Sequence, residues 1–102
     1  MDNTKLYSYI GLAKKAGKTV VGIDGIVNAM KCHKGLLVIM AADVSDNSRK
    51  MIMDKCSYYN AQLEVFGDKA RLGHCIGGGD TAAIAIADKN LKRLITQYLG
   101  VI

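Results

Sequence analysis

The segment Leu36-Leu37-Val38-Ile39-Met40-Ala41-Ala42 is continuously apolar and is bounded by Gly35 and Asp43. A short, unbroken apolar run between two such residues is typical of a strand that is covered on both faces. It is also far too short to span a bilayer, which takes about 20 apolar residues. We therefore predict the central strand of a sheet here.

Helices and strands are predicted to alternate on both sides of this segment. In chain order the predicted elements are a helix over 4–16, a strand over 19–21, a helix from Gly22 to a stop at Gly35, the central strand, a helix from the polar cluster 43–48 to Asn60, a strand over 63–66, a short helix capped by Asp68, a strand over 82–86 and a final helix capped by Asp88. Asn3 or Thr4 is the predicted N-cap of the first helix, and Gly17 is its predicted left-handed stop.

The final helix is predicted to be amphipathic. The side chains expected to face inward are Leu91, Leu94, Ile95 and Tyr98, and those expected to face water are Lys89, Lys92 and Arg93. Because strands alternate with helices throughout, we predict an α/β fold in which one sheet carries helices on both faces, a three-layer α/β/α sandwich. Ligands of such sheets bind in the loops at one end of the strands.

Composition narrows the class of protein. The chain has 102 residues, half of them apolar, which suits one domain over 1–102 with a shared core. Its net charge of +5 favours polyanionic partners. Cys32, Cys56 and Cys75 are too widely spaced for a zinc motif and are odd in number, so free thiols and no metal are expected. Without an apolar leader or membrane span, we expect a cytoplasmic protein.

The segment Gly11-Leu-Ala-Lys-Lys-Ala-Gly-Lys-Thr19 places three lysines around a helix end. It is not a nucleotide-binding P-loop, because five residues separate Gly11 from Gly17 where that motif has four. We predict that Lys14, Lys15 and Lys18 converge on phosphates near the helix start at Gly22. The alternative is a capped helix whose lysines are simply solvated.

Two glycine-containing turns are candidate contacts for a nucleic-acid backbone. Gly22 permits close approach to the start of the second helix, where Asp24 either stabilises the helix or accepts hydrogen bonds from a guanine edge. Gly78 and Gly79 either cradle a phosphate with their amides or simply connect a helix to a strand. No Ser, His and Asp arrangement or carboxylate pair is recognisable, so we predict no enzyme and no cofactor.

Three segments together resemble the kink-turn RNA-binding ribosomal protein family, and within it the small bacterial YlxQ-like branch. They are Gly11–Lys18, Leu37–Ser45 leading into Asp54–Asn60, and Leu72–Gly77 followed by the strand 82–86. The resemblance implies an α/β/α sandwich with a four-stranded mixed sheet and no catalysis. It also implies binding of a sharply bent RNA whose tandem sheared G·A pairs are read from the major-groove side.

In the family the second helix starts with a pattern similar to Gly-x-Asn-Glu-x-x-Lys, whose polar side chains contact the guanines. Gly22 matches this pattern, whereas Asp24 stands in place of asparagine, Gly25 in place of glutamate and Asn28 in place of lysine. Each lost bidentate contact is worth about 1 to 3 kcal/mol, so a lower specific affinity is expected. The family's second contact, an apolar loop, corresponds to residues 78–81.

We therefore expect a monomeric, non-enzymatic RNA-binding protein that is associated with the ribosome or translation factors or binds structured, kink-turn-like RNA. The predicted RNA-binding residues are Lys14, Lys15, Lys18, Gly22, Ile23, Asp24, Gly25, Asn28, Lys31, Gly78 and Gly79. The alternative is a protein-interaction or dimerisation module on the same fold. The three lysines around one turn favour the first interpretation, which predicts that binding weakens steeply with salt.

Overall fold

The computed structural model describes residues 4–101, in which five helices alternate with four strands. The elements are α1 (Thr4–Lys15), β1 (Thr19–Val21), α2 (Ile23–Cys32), β2 (Leu37–Met40), α3 (Asp46–Tyr59), β3 (Gln62–Val65), α4 (Lys69–Cys75), β4 (Ala83–Ile86) and α5 (Lys89–Val101). Every predicted element is present, with bounds that differ by a few residues.

The four strands form one mixed sheet in the order β1-β4-β2-β3. β2 runs parallel to β3, whereas β4 runs antiparallel to both β1 and β2. Ile86 lies opposite Thr19 on one side and Leu37 on the other, which fixes the register of the three strands. All residues of β2 and β4 are buried, as expected for inner strands.

The helices form two packing groups. α1 contacts α4 and α5, whereas α2 contacts α3 as well as β1 and β4. The buried side chains of both groups join those of the sheet in one apolar core. This arrangement confirms the predicted three-layer α/β/α sandwich.

Helix ends follow the predicted capping chemistry. Asp68 Oδ1 accepts from the Arg71 amide at 2.7 Å, and Asp88 Oδ1 accepts from the Asn90 and Leu91 amides at 2.8 and 3.0 Å. Gly17 and Asn60 are left-handed, with φ of 70° and 56°. Of the two predicted N-caps of α1, Asn3 lies outside the described residues and Thr4 is the first residue of the helix.

Three details of the helix predictions are wrong. α2 ends at Cys32, and Gly35, with φ of 68°, instead turns the chain into β2. On α5, Leu94 is 41% exposed. Leu94 directly precedes Ile95, so the two side chains lie about 100° apart around the helix, and the buried face is centred on Ile95. Lys92 is half-buried, because its ammonium donates to the Gly35 carbonyl.

The strand directions define two ends of the sheet. The α2-start end holds Gly22 and the loops 41–45, 66–68 and 76–82, where β1, β2 and β3 finish and β4 begins. The α5-start end holds the loops 16–18, 33–36, 60–61 and 87–88, where β1, β2 and β3 begin and β4 finishes. All the candidate residues belong to one of these ends or to the segments that join them.

Candidate nucleic-acid interface

The start of α2 differs from the starts of the helices that follow it. Gly22, its N-cap, has φ of 90° and ψ of 142°, and no side chain accepts from the first amides of the helix. In α3, α4 and α5 the side chains of Ser45, Asp68 and Asp88 make such a bond. Because Gly22 is also exposed, the positive end of α2 is open to an acceptor from outside.

The first turns of α2 present two polar side chains. Asp24 and Asn28 are exposed and one turn apart, so they lie on the same side of the helix. Gly25 lies between them at a close approach to β1: a Cβ there would lie 3.1 Å from Cγ1 of Val20. Ile23 is half-buried against the core, so it offers its backbone rather than its side chain. The glycine at position 25 thus lets α2 pack tightly on β1.

The loop between α4 and β4 lies at the same end of the sheet as Gly22. Both Gly78 and Gly79 are exposed, but the loop is bonded to α4 rather than free. The Gly78 amide donates to the Gly73 carbonyl at 2.9 Å, and a Cβ on Gly73 would lie 1.9 Å from the Gly79 oxygen. The Gly78 amide is therefore already used, which leaves this loop as a surface for backbone approach.

The predicted lysines lie at the other end of the sheet. Lys14, Lys15 and Lys18 are exposed around the end of α1, and Lys31 is exposed in the last turn of α2. At 3.3 Å per residue, Lys18 and Gly22 are about 13 Å apart along β1. A single ligand can therefore contact both the lysines and the open start of α2 only if it extends along β1.

The two ends also differ in charge. The α2-start end carries the aspartates Asp24, Asp43, Asp46, Asp68 and Asp80 beside the basic residues Arg49, Lys69 and Arg71. Two of the aspartates are engaged with α4, since Asp43 accepts from the Lys69 amide and Asp68 caps the helix. Attraction of phosphate must therefore come mainly from the lysine-bearing end.

β1 joins the two groups of candidate residues. It is an edge strand of the sheet, and Val21 at its end is exposed. An extended polyanion lying along this edge would contact Lys18 at one end and the α2 start at the other. The structure thus divides the candidate residues between the two ends of the sheet, which β1 connects, rather than gathering them around one point.

Other kinds of site receive no support. Within residues 4–101, no group of three His, Cys, Asp or Glu side chains is placed to hold a metal ion. Burial raises the pKa of the Cys56 thiol to about 11, and it raises the pKa of Cys75 against an opposing effect of Arg71. All three cysteines are free, as predicted, and these two thiols stay neutral near pH 7.

Tyr58 is 77% exposed while Tyr59 is half-buried, so this pair of tyrosines divides between surface and core. Among the helices described, none has the length and apolar character needed to cross a membrane.

Comparison with known proteins gives consistent matches. The model of the ribosomal protein L7Ae/L30e/S12e/Gadd45 family matches residues 4–95. The RNA-binding protein YlxQ of Bacillus subtilis is 28% identical over 97% of this chain and 99% of its own length. The YlxQ protein of Enterococcus faecium is 33% identical over 74% of each chain.

Solved structures agree in fold. A Bacillus halodurans protein of unknown function superposes with a TM-score of 0.84 at 29% identity, covering 91% of this chain and 94% of that one. The 15.5kD RNA-binding protein of Giardia lamblia superposes with a TM-score of 0.76 at 17% identity, covering 98% and 86% of the two chains.

Proposed function

Since the chain belongs to the ribosomal protein L7Ae/L30e/S12e/Gadd45 family, we propose that it is a non-enzymatic RNA-binding protein that recognises structured, kink-turn-like RNA. The observation that carries the proposal is the uncapped, exposed start of α2 in a chain whose full-length relative is named an RNA-binding protein. Open amides at a helix N-terminus suit an RNA backbone or a base edge.

In this proposal the RNA lies along the β1 edge. Lys14, Lys15, Lys18 and Lys31 bind phosphates at one end, where ammonium groups act as point charges. At the other end, Gly22 and the loop of Gly78 and Gly79 allow the backbone to approach closely, and the Ile23 and Gly25 amides face it as donors. These contacts position the RNA but carry no sequence information.

Base recognition falls to Asp24 and Asn28. The Asp24 carboxylate accepts from the amino and imino groups of a guanine, and the Asn28 amide both donates and accepts. An aspartate near phosphates also repels them, so specificity here comes at a cost in affinity. We therefore expect discrimination between RNAs to be modest and binding to depend strongly on salt.

We further propose that the protein acts as a cytoplasmic monomer, bound to ribosomal or other structured RNA and associated with the ribosome or translation factors. The competing function is a dimerisation or protein-interaction module. A sizing column separates the two, because the monomer keeps its elution volume on dilution and shifts only when RNA is added.

The direct test is a fluorescence titration with two RNAs. One contains a kink-turn, and in the other Watson–Crick pairs replace the tandem G·A pairs. We expect the kink-turn RNA to bind about tenfold more tightly, equivalent to about 1.4 kcal/mol. Asn28→Ala should reduce the ratio of the two affinities. The double variant Lys14→Gln with Lys18→Gln should instead weaken the binding of both RNAs by the same factor.

A matched control removes two charges elsewhere. Lys50 and Lys55 are exposed on α3, so Lys50→Gln with Lys55→Gln should leave both affinities nearly unchanged. Equal binding of the two RNAs by the wild-type protein would reject kink-turn recognition. Binding that is indifferent to salt would reject the phosphate contacts as well.

A further inference from the structure

The α5-start end of the sheet concentrates positive charge beyond the lysines already assigned. Four segments meet there, 14–18, 31–36, 60–62 and 86–93, which are distant in sequence but adjacent in the sheet. Their basic residues are Lys14, Lys15, Lys18, Lys31, Lys34, Lys89, Lys92 and Arg93, against Asp88 as the acidic residue. The α2-start end, in contrast, carries both aspartates and basic residues.

Part of this surface is concave. Two adjoining depressions of about 270 and 420 Å³ share the residues Lys34, Gly35, Lys89 and Lys92. The first extends under the end of α2 to Cys32 and His33, and the second extends along α5 to Arg93 and Gln97. We call the two together the α5 cleft.

The cleft has an excess of positive charge, because Lys34, Lys89, Lys92 and Arg93 line it against Asp88 as its acidic lining residue. The Asp88 carboxylate accepts from the Asn90 and Leu91 amides, which commits it to capping α5. The Lys92 ammonium donates to the Gly35 carbonyl, so it is held at the base of the cleft. Lys34, Lys89 and Arg93 are exposed around it. The cleft therefore presents a positive base that is bonded to the backbone and positive walls that are exposed to solvent.

We propose that the α5 cleft binds the sugar–phosphate backbone of an RNA stem, as a second contact separate from the α2 start. Lys34, Lys89 and Lys92 supply point charges for phosphates, and the planar guanidinium of Arg93 binds a phosphate in bidentate fashion. Gln97, together with the Gln62 and Thr96 pair that is bonded at 3.1 Å, supplies amide and hydroxyl groups for 2′-hydroxyls.

The alternation of cationic with neutral polar groups favours RNA over an acidic protein segment. An acidic peptide offers carboxylates but no regular row of hydroxyls beside them, whereas every RNA nucleotide carries a phosphate and a 2′-hydroxyl. The cleft also adjoins the β1 edge, because Ala87, which lines it, donates its amide to the Lys18 carbonyl at 2.8 Å. An RNA held along β1 can thus continue onto the cleft.

This inference rests on the proposed RNA-binding function but not on kink-turn recognition, so its test uses a perfectly paired RNA duplex without any kink. The variant is Lys89→Gln with Arg93→Gln, and the control is Lys50→Gln with Lys55→Gln, which changes the net charge by the same amount. All four side chains are exposed, and circular dichroism checks that each protein is folded.

We expect the Lys89 and Arg93 variant to bind the duplex about tenfold more weakly at 0.1 M salt. The slope of log K against log salt should fall by about 2, one for each lost phosphate contact. The control variant should keep the wild-type affinity and slope.

Three results would overturn the proposal. The first is that the wild-type protein does not bind the duplex at 0.1 M salt. The second is that both charge variants lose the same affinity for the duplex. The third is that the wild-type protein binds poly-glutamate as tightly as it binds the duplex. The protein could also bind the duplex through Lys89 and Arg93 without distinguishing the two RNAs of the kink-turn titration. That result would support RNA binding by the α5 cleft and would reject only kink-turn recognition.

Discussion

The Lys92 ammonium donates to the Gly35 carbonyl and so connects the first turn of α5 to the turn that begins β2, 57 residues away in sequence. Gly35 has φ of 68°, and a Cβ there would lie 3.2 Å from the Lys92 nitrogen. The glycine therefore allows the left-handed backbone of the turn, and it leaves room for the Lys92 ammonium. This contact holds the base of the α5 cleft in place. It links α5, which follows β4, to the turn before β2, and β2 and β4 are neighbours in the sheet.

Replacing Lys92 by methionine should lower the free energy of unfolding by about 1 to 2 kcal/mol, because it leaves the Gly35 carbonyl without its charged donor. Lys89→Met changes the same charge at an exposed position of the same helix, so its effect should stay within about 0.5 kcal/mol. Urea unfolding at constant pH measures both. Equal stability of the two variants would show that the bond contributes nothing.

Most of the fold follows from local signals in the sequence. The unbroken apolar runs of β2 and β4 fixed the inner strands, and Asp68 and Asp88 marked two helix starts through capping chemistry that needs no tertiary contact. Left-handed Gly17 marked the end of α1 in the same way.

Two of the errors lie on α5, where tertiary packing determines which side chains are buried. Leu94 and Lys92 both lie on α5, whose rotation is set by its contact with α1, including the edge-on pair of Tyr9 and Tyr98 at 5.6 Å. Helical periodicity identifies an apolar stripe but does not say which border residue the neighbouring helix covers.

The candidate site was only partly accessible from the sequence. Residues 14–31 lie in one continuous stretch, so their clustering was visible as a motif. Their division between two ends of the sheet depends on the direction of β1, which a motif does not encode. The α5 cleft was missed, because Lys34 and Lys89 are brought together only by the antiparallel pairing of β2 with β4.

Gly73 should not tolerate a side chain. Gly73→Ala would place a methyl group 1.9 Å from the Gly79 oxygen, within a buried segment of backbone. We expect a loss of several kcal/mol or failure to fold, because the α4–β4 loop must move away. Gly78→Ala is the control, since nothing lies within 4 Å of a Cβ there. Similar thermal unfolding of both variants would contradict the packing described for this loop.

Asp24 should set the balance between specificity and affinity. Asp24→Asn removes a negative charge from the start of α2, so we expect tighter binding of RNA overall but a smaller ratio between the two RNAs of the kink-turn titration. Stability should fall by about 0.3 to 1 kcal/mol, because the carboxylate favours the positive helix end.

Asp46→Asn makes the same change in the first turn of α3. It should cost comparable stability and leave RNA binding unaltered. If the two variants bind both RNAs alike, Asp24 has no role in recognition.

Cys56 should make the protein less stable at alkaline pH. Its side chain is 3% exposed, and burial raises its pKa from about 9 to about 11. The folded state therefore holds this proton more tightly than the unfolded state, and the resulting stability is complete below pH 9 and is lost as the pH rises to 11. The loss amounts to at most about 2.7 kcal/mol.

Cys56→Ala provides the comparison for this effect, because the two proteins differ in this side chain alone. The variant should start less stable, owing to the lost packing, but should lose less stability between pH 9 and 11. Guanidinium unfolding at several pH values measures the difference. Parallel curves for the two proteins would contradict the assignment.

Cys32 should report occupation of the α5 cleft directly. It is exposed and lines the cleft, whereas Cys75 is half-buried and lies in α4, outside it. In the free protein, iodoacetamide should therefore modify Cys32 before Cys75 and leave Cys56 intact, as peptide mass spectrometry would show.

With an RNA duplex at ten times its dissociation constant, modification of Cys32 should slow about tenfold, because only the unbound fraction reacts. The Lys89→Gln and Arg93→Gln variant at the same RNA concentration should lose most of this protection. Unchanged modification of Cys32 in the saturated wild-type complex would place the duplex elsewhere on the molecule.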